Sequence, residues 1–330
     1  MAATILLVDA DRGNCSDWKA FLQNQGYEVV EAESGRGALE RCLRLKPDLV
    51  LLSSTLPDMQ GFQVCERLKS DPQNRLTPVI MIAPDSVPFE ANRAYKAGAD
   101  DYWSKPTSRW DALSRLHSIL LMKSYIDQQA EGVLFALARS IESKGTMMVG
   151  HSERLAEHAV QFGELLGLSS EELEVLRAGS LLHDVGKVAV PDQILLKPGR
   201  LTPTEMEIMR QHPVVGEEIC APLKSFRHVL PVIRHHHERA DGSGYPDGLR
   251  GDAIPLAAQI LQMADIYDAL TTDRPYRKAL SVEETLTIMN RETRCGQLSE
   301  TLFNEFSLFV WTKMPWRRYG DSMSDSSRTH

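Results

Sequence analysis

The sequence has no long apolar run, no surplus of basic residues and no leader-like start. Its apolar stretches all stop short of the roughly 18 to 20 residues that a membrane-spanning helix requires. Residues 1–4 lead directly into a strand-like segment, without the basic and apolar regions of a signal peptide. The formal net charge of −8 is opposite in sign to that of most general nucleic-acid-binding proteins. We therefore expect a cytoplasmic protein that binds neither membranes nor nucleic acids.

Cysteine is scarce, and no two cysteines form a C-x-x-C pair. The five cysteines are Cys15, Cys42, Cys65, Cys220 and Cys295. Paired or clustered cysteines are the usual sign of a disulfide framework or of a thiolate zinc site. This spacing therefore predicts reduced thiols, and any metal site must draw on other side chains.

The first third of the chain alternates strand-like and helix-like segments. Short apolar runs lie at residues 5–8, 49–52 and 79–82, and two further strand-like segments lie at 28–32 and, more weakly, at 101–104. Continuous apolar runs of this length are typical of strands that are buried on both faces. The pattern predicts an α/β domain with a doubly wound, five-stranded parallel sheet.

The rest of the chain has helical patterns. With 330 residues, the chain is long enough for two domains with separate cores. We expect the α/β domain at 1–122, a connecting helix at 123–143, an all-helical domain at 144–317 and a disordered tail at 318–330. The last helix of the first domain is expected to continue into the connecting helix, because the segment lacks proline.

The N-terminal third resembles the receiver domain of bacterial response regulators, which has a flavodoxin-like sheet. The resemblance covers residues 3–122. Its motifs are Val8-Asp9, Pro47-Asp48-Leu49-Val50, Leu56-Pro57-Asp58-Met59-Gln60-Gly61-Phe62 and Ala97-Gly98-Ala99-Asp100-Asp101-Tyr102, followed by Lys105-Pro106. In such sheets, ligands gather at the carboxyl ends of the strands.

Most residues that carry receiver chemistry are replaced. Ser53 stands where the family has its phosphorylated aspartate, and Asp9 is followed by Ala10 instead of a second acid. Ala83 replaces the family's threonine or serine, and Lys105 remains. A lost carboxylate weakens a site for a hard cation. The resemblance therefore predicts a pseudo-receiver that serves for dimerisation or for docking a protein partner in second-messenger signalling.

Five histidines and two aspartates form an ordered set in the second part of the chain. The set is His151, His183-Asp184, His212, His236-His237 and Asp265. Neutral imidazole nitrogens and carboxylate oxygens suit first-row metals such as iron, manganese, nickel or zinc. A carboxylate such as Asp184 can bridge two ions about 3.5 to 4 Å apart, the spacing of two-metal hydrolytic sites. A single histidine–aspartate pair is weak evidence, but this joint order is specific.

The motifs around this set are similar to those of the HD-GYP phosphodiesterases. They are His183-Asp184 with Gly186-Lys187, His236-His237-Glu238, Gly244-Tyr245-Pro246 and the stretch from Ala264-Asp265 to Arg277. The resemblance covers residues 133–300. It implies an HD-type helical domain that holds two divalent metal ions, with iron or manganese favoured and nickel or zinc as alternatives.

The resemblance also implies a role for each matched residue. The first metal would be held by His151, His183, Asp184 and Asp265, and a second, bridged by Asp184, by His212, His236 and His237. Asp184 and Lys187 would be the catalytic residues, with Lys187 facing the substrate phosphate. Further substrate contacts would come from Gly244, Tyr245, Pro246, Asp268, Arg274 and Arg277. An arginine can donate two hydrogen bonds to the edge of a guanine.

Three departures from the family pattern affect these expectations. Some members have a glutamate that recruits a third metal where this sequence has Met147, so we expect two metals. Segment 145–148 replaces a common Asp-Pro-x-Thr, which alters the support of His151. Ala240 replaces an aromatic residue before the Gly-Tyr-Pro loop, which predicts a looser loop and lower activity.

The leading hypothesis is a phosphodiesterase for the bacterial second messenger cyclic di-GMP. A hydroxide held between the two cations would attack the 3′–5′ phosphodiester, because metal binding lowers the pKa of water to about 7. The product would be linear pGpG, with further cleavage to GMP left open. Two alternatives also stay open: a sensor or scaffold that binds the nucleotide without turnover, and a phosphodiesterase for a mixed GMP–AMP ring.

Overall fold

The computed structural model describes residues 3–72, 74–84, 88–105, 108–144, 150–273 and 277–313. Segment 145–148 with Met147, the predicted guanine contact Arg274 and the predicted tail at 318–330 lie outside these residues. The chain divides into two compact units, Met1–Glu131 and Gly132–His330.

The first unit is built on five parallel strands, as the apolar runs predict. They are β1 (Thr4–Val8), β2 (Glu28–Ala32), β3 (Leu49–Ser53), β4 (Val79–Pro84) and β5 (Asp101–Lys105). Their order across the sheet is β2-β1-β3-β4-β5, the order of flavodoxin-like folds. In the register of β1, Leu6 lies opposite Val30 on one side and Val50 on the other. The prediction of a doubly wound α/β domain is confirmed.

Both faces of this sheet are covered, which explains why its central strands β1, β3 and β4 are largely apolar. The helices of this unit that precede β5 are α1 (Arg12–Asn24), α2 (Gly35–Leu45), α3 (Gly61–Ser70) and α4 (Pro88–Lys96). Leu6 and Val8 belong to the core on one face, and Ile5 and Leu7 belong to the core on the other. Because successive side chains of a strand point to opposite faces, a strand buried on both sides is apolar at every position.

One long helix, α5 (Arg109–Lys144), crosses the division between the two units. Its 36 residues confirm the predicted continuity into the connecting segment. The two units divide between Glu131 and Gly132, inside the segment 123–143 that the sequence suggests as a separate connector. Neither α5 nor any other helix of the described residues combines the length and apolarity that a membrane span requires.

The second unit is built of helices and the loops between them, as predicted, and its described residues include no β-strand beyond isolated bridges. After the end of α5 its helices are α6 (His151–Leu165), α7 (Ser170–Leu182), α8 (Asp192–Leu195), α9 (Pro203–Met209), α10 (His212–Cys220), α11 (Leu230–His235), α12 (Leu256–Thr271), α13 (Val282–Arg294) and α14 (Glu300–Lys313). Short 3-10 segments occupy Val185–Ala189, Lys224–Phe226 and Gly251–Ala253. Capping boxes begin α7, α9 and α13 at Ser169, Thr202 and Ser281, because each cap has a glutamate three residues later.

The sequence pattern suggests one helix over residues 202–212, and the structure corrects this. Helix α9 ends at Met209, and α10 begins at His212 with Pro213 in its first turn. Proline lacks an N–H group and therefore fits the first turn of a helix better than its interior. The break places His212 at the beginning of a new helix.

An aromatic core packs between α6 and α12, the helices that carry His151 and Asp265. The ring of Phe162 on α6 lies 5.0 Å from that of Phe306 and 5.4 Å from that of Phe309, both on α14. Ile260 and Leu261 of α12 are fully buried in the same cluster. Because interiors of this kind are close-packed, α6 and α12 have little freedom to shift relative to each other.

Candidate metal centre

Seven donor side chains converge in two groups in the second unit. One group contains His151, His183 and Asp265, and the other contains Asp184, His212, His236 and His237. Within each group the ligand atoms lie within 4.8 Å of one another. These seven residues are the whole set that the sequence suggests as metal ligands, and the structure brings all of them together.

Gly186 explains how residues distant in sequence reach one place. A Cβ atom at this position would lie 1.9 Å from the His212 carbonyl oxygen and 2.5 Å from the Gly216 nitrogen. Only glycine therefore allows the turn after His183-Asp184 to contact the backbone of α10. The contact brings His212 Nε2 to 3.4 Å from Asp184 Oδ1.

Three histidines are oriented by the backbone of their own helical turns. In each, Nδ1 lies 2.7 to 2.8 Å from the carbonyl oxygen three residues earlier: His183 to Ser180, His212 to Met209 and His236 to Ile233. A carbonyl oxygen only accepts, so Nδ1 carries the proton and donates it. A neutral imidazole then presents its Nε2 lone pair to the cluster, which is the arrangement typical of metal-binding histidines.

The donor set fits a cation on electrostatic grounds. Burial lowers the pKa of His212 to about 4 and holds the pKa values of His236 and His237 well below their usual range. The Nε2 atoms of His212 and His236 lie 3.3 Å apart, although neither neutral ring has a proton left to donate between them. The buried Oδ1 of Asp184 also has no hydrogen-bond donor. A metal ion bound here would satisfy all three atoms.

Asp184 stays ionised despite its surroundings. Burial raises the pKa of its carboxyl, but the interactions with His183 and Lys187 outweigh burial and hold the pKa well below its usual range. Lys187 Nζ lies 2.5 Å from Asp184 Oδ2. The predicted catalytic pair is therefore in direct contact.

His151 is oriented differently, by a buried carboxylate. Its Nδ1 lies 2.6 Å from Asp268 Oδ2, and its Nε2 lies 3.4 Å from Asp265 Oδ1. Burial lowers the pKa of His151, but hydrogen bonds to Asp265 and Asp268 outweigh it and raise the pKa to about 10. Arg154 Nε in turn donates to Asp268 Oδ1 at 3.0 Å. Arg154 is a residue that the sequence pattern does not single out, because only the fold brings it to Asp268.

Two residues predicted to contact the substrate are engaged elsewhere. Both oxygens of Asp268, which is 3% exposed, are used by His151 and Arg154. The Arg277 guanidinium donates to the carbonyl oxygens of Ala269 at 2.6 Å and Leu270 at 3.0 Å, at the end of α12. Carbonyl groups in the last turn of a helix lack partners within the helix, so Arg277 completes that turn.

A single buried carboxylate anchors the Gly-Tyr-Pro loop. Glu238, fully buried, accepts hydrogen bonds from the backbone N–H groups of Asp247 at 2.7 Å, Gly248 at 3.0 Å and Leu249 at 3.0 Å. Asp247 also forms an ion pair with Arg234 through both of its carboxylate oxygens, and its Oδ2 lies 3.0 Å from His235 Nε2. The sequence motif contains Glu238 but does not reveal this anchoring role. His235 is not among the predicted metal ligands, and the structure also places it outside both donor groups.

The loop packs its tyrosine against the donor cluster. A Cβ atom on Gly244 would lie 2.3 Å from the Arg239 nitrogen, so the loop can approach this backbone only with glycine. The Tyr245 N–H donates to the His237 carbonyl at 3.2 Å, and the two rings lie 4.8 Å apart. Pro246 follows through a cis peptide bond. The predicted loop residues thus lie directly beside the predicted metal ligands.

The first unit lacks a comparable donor group among its described residues. Ser53 is nearly buried, and its hydroxyl donates to the Thr55 carbonyl at 3.2 Å. Asp9 accepts from the Asp11 backbone at 3.1 Å and from the Asn14 amide at 3.0 Å. Asp11, the displaced acid, caps α1. Ala10 is exposed, Ala83 is buried on β4, and Lys105 ends β5 with its side chain outside the described part.

Comparison with known proteins agrees with both units. A model of the HD domain matches residues 136–298, and a model of the response regulator receiver domain matches residues 5–117. The chain is 33% identical over 323 residues to a "Probable cyclic di-GMP phosphodiesterase" of Vibrio cholerae, covering 87% of this chain and 73% of that protein. It is 36% identical over 275 residues to the "Cyclic di-GMP phosphodiesterase response regulator RpfG" of Xanthomonas campestris pv. campestris, covering 76% and 73%.

A third relative is named for a different nucleotide. The chain is 37% identical over 163 residues to the "3′3′-cGAMP-specific phosphodiesterase 3" of Vibrio cholerae, covering 49% of this chain and 35% of that protein. The fold and the site define a receiver-type unit joined to an HD-type hydrolase unit. The chain belongs to the HD-domain cyclic di-GMP phosphodiesterases that carry a receiver domain.

Proposed function

We propose that this protein hydrolyses a 3′–5′ phosphodiester bond of cyclic di-GMP to give linear pGpG, with GMP as a further product to be tested. The observation that carries the proposal is the convergence of seven donor side chains in two adjoining groups. Relatives that share most of the chain's length are named as cyclic di-GMP phosphodiesterases. The reaction needs charge neutralisation at the phosphate and an activated water, which two cations can supply.

We propose that the two groups hold two divalent metal ions, iron or manganese in preference to nickel or zinc. His151, His183 and Asp265 would hold one ion, and His212, His236 and His237 the other, with Asp184 between them. When bound, the ions would lower the pKa of water in the site and neutralise charge that develops on the phosphate.

The chain's own residues would then bind and orient the substrate. The ammonium group of Lys187 contacts Asp184, so it would lie close to a phosphate bound at the donor cluster. The loop of Gly244, Tyr245 and Pro246 lies beside His237, and Glu238 anchors it through a hydrogen bond to the backbone of Asp247. A loop that is ordered before binding reduces the entropy lost when a substrate is positioned.

We propose Asp268 as a positioning residue for His151, and its asparagine variant tests this. Asp268→Asn keeps the shape but removes the charged acceptor of the His151 N–H group, so we expect the affinity of one metal to fall about 10- to 100-fold. Metal titration followed by calorimetry measures the change, and Asp252→Asn, an exposed aspartate of a 3-10 segment, serves as the control. Unchanged metal affinity with a raised KM for cyclic di-GMP would instead support the substrate contact that the sequence suggests.

A mixed GMP–AMP ring is the second candidate substrate, because of the relative named for 3′3′-cGAMP. The metal-loaded protein is incubated separately with cyclic di-GMP, 3′3′-cGAMP and cyclic di-AMP, and the products are separated by chromatography. We expect the highest kcat/KM for cyclic di-GMP. A higher value for 3′3′-cGAMP would change the proposed substrate and leave the reaction unchanged, whereas binding without products would support a sensor or scaffold role.

We propose that the first unit is a pseudo-receiver. Its acceptor position is a serine hydroxyl that is nearly buried and hydrogen-bonded to Thr55, and Asp9 is engaged by Asp11 and Asn14. Incubation with acetyl phosphate and Mg²⁺ should therefore leave the intact mass of the protein unchanged. A stable increase of one phosphate mapped to Ser53 would contradict the proposal.

We propose a homodimer along α5. Met122, Ile126 and Val133 are exposed by 60, 51 and 67%, and Gln129 lies between them at the alternating spacing of four and three residues. This spacing is typical of a coiled-coil seam, in which one polar residue fixes the register. Sedimentation should show a dimer, and Met122→Glu with Ile126→Glu should give a monomer. A monomeric parent protein would contradict the proposal.

We propose that the protein works in the cytoplasm and that protein partners of the same signalling system dock on its first unit. The five cysteines are free thiols, four of them buried, which fits a reducing compartment. The net charge of −8 gives no support to nucleic-acid binding.

A further inference from the structure

Arg210 lies at the edge of the donor cluster and has no role in the reaction as described so far. It follows the last residue of α9 and precedes His212 by two positions. Its guanidinium carbon lies 5.3 Å from the centroid of the Tyr245 ring. The same ring lies 4.8 Å from that of His237. Arg210 and a proposed metal ligand therefore share one tyrosine.

The charge of Arg210 is available, unlike the charges of three other cations near this site. Arg234 is paired with Glu217 and Asp247, Lys187 is paired with Asp184, and Arg154 is engaged by Asp268. Arg210 is exposed, and within the described ranges of the chain its guanidinium makes no ion pair or hydrogen bond. Stacking on an aromatic ring restrains a guanidinium while leaving its N–H groups able to donate.

The chemistry of a cyclic dinucleotide requires a second cationic contact. The ring contains two phosphodiesters, each with one negative charge, and only one of them can lie at the donor cluster during cleavage. The other phosphodiester would then lie outside the cluster, where a cation of its own would stabilise its negative charge. A planar guanidinium can donate two parallel hydrogen bonds to its two non-bridging oxygens.

We propose that Arg210, stacked on Tyr245, binds the second, uncleaved phosphodiester of the cyclic dinucleotide. This assignment rests on the proposed function, because it takes the substrate to be a ring with two phosphodiesters. It makes Arg210 a residue that distinguishes cyclic dinucleotides from substrates with a single phosphodiester. The guanidinium contributes to binding and does not act on the bond that is cleaved.

The test compares Arg210→Ala with the parent protein on two ligands. KM and kcat are measured for cyclic di-GMP, and Ki is measured for GpG, which has two guanines but a single phosphodiester. We expect KM to rise about 10- to 100-fold with kcat within about twofold, the loss typical of a hydrogen bond to a charged group in uniform binding. The Ki of GpG should stay within about twofold, because GpG lacks the group that Arg210 binds.

Two further variants complete the experiment. Arg210→Lys keeps the charge but loses the planar fork, so it should recover part of the affinity. Arg291→Ala, an exposed arginine on α13, which carries none of the donor residues, should match the parent protein. Thermal unfolding confirms that each variant is folded.

Three outcomes would overturn the assignment. An unchanged KM for Arg210→Ala shows that the residue does not bind the ring. A Ki for GpG that rises as much as KM shows that Arg210 binds guanine and not the second phosphate. If cyclic di-GMP stays intact with the metal-loaded parent protein as well as with the Arg210 variants, the proposed function itself is overturned, and this assignment with it.

Discussion

Asp184→Asn should abolish hydrolysis of cyclic di-GMP while leaving the protein folded. Asparagine keeps the size of the side chain but removes the negative charge and one of the two oxygens that can face a cation. Asp184 belongs to one donor group and also lies beside the other, with its Oδ2 at 3.2 Å from His183 Nε2 and its Oδ1 at 3.4 Å from His212 Nε2. One substitution therefore weakens both proposed metal positions.

The expected loss is large. A bridging charge supplies several kcal/mol of stabilisation, and each 1.4 kcal/mol or so is a factor of ten, so kcat should fall about a thousandfold or more. Elemental analysis should show fewer than two metal ions per chain. Asp192→Asn is the matched control, since Asp192 is an exposed aspartate whose carboxylate pairs with Lys144. Retention of both metals and of full activity by Asp184→Asn would remove Asp184 from the site.

Gly186→Ala should have the second largest effect, and through a different cause. The added methyl group would lie 1.9 Å from the His212 carbonyl oxygen and 2.5 Å from the Gly216 nitrogen. Both are backbone atoms, so no change of rotamer can relieve the contact. Helix α10 must move away, and His212 must move with it, away from Asp184.

We expect Gly186→Ala to lower the free energy of unfolding by about 2 to 4 kcal/mol, the upper range for overpacking and strain. The metal held by His212 should be lost first. Gly132→Ala is the matched control, because a Cβ atom on Gly132 of α5 meets nothing within 4 Å. In a helix interior that change should be neutral or stabilise by up to about 1 kcal/mol. Equal stability of the two variants in urea denaturation would contradict the proposed contact.

Much of this fold could be predicted because its signals are local. The strands β1 and β3 are buried on both faces, so their apolar runs are continuous and easy to recognise. The caps at Ser169, Thr202 and Ser281 mark helix starts within four residues of sequence. The end of α9 at Met209 has no such signal, because neither glycine nor proline follows it directly and Pro213 marks only the beginning of α10.

The seven donor residues could also be predicted, because their motifs are short and their order is specific. Their supports could not, because these form between distant segments. Arg154 reaches Asp268 across 114 residues of sequence, and Glu238 binds a loop that folds back on it. Asp265 and Asp268 are three residues apart on α12, yet one joins the donor group and the other faces His151 from outside it. Sequence spacing places both on one helix surface but does not give their partners.

In the receiver unit, residues that depart from the family's pattern have structural roles in the fold. Asp11, displaced from the position of the second acid, caps α1, and Ser53 donates to Thr55. Both side chains thus have structural roles where relatives of the family have chemistry. On the proposal that the first unit is a pseudo-receiver, control of the second unit is expected to come from association and not from an aspartyl phosphate.

The central claim is a two-metal phosphodiesterase for cyclic di-GMP, and one titration tests it most directly. Metal-free protein is titrated with Mn²⁺ under anaerobic conditions, and the formation of pGpG is followed by chromatography at each ratio. We predict that the rate rises to a plateau at two equivalents of Mn²⁺ per chain. A plateau at three equivalents, or the absence of pGpG at every ratio of Mn²⁺ and of Fe²⁺, would contradict the account.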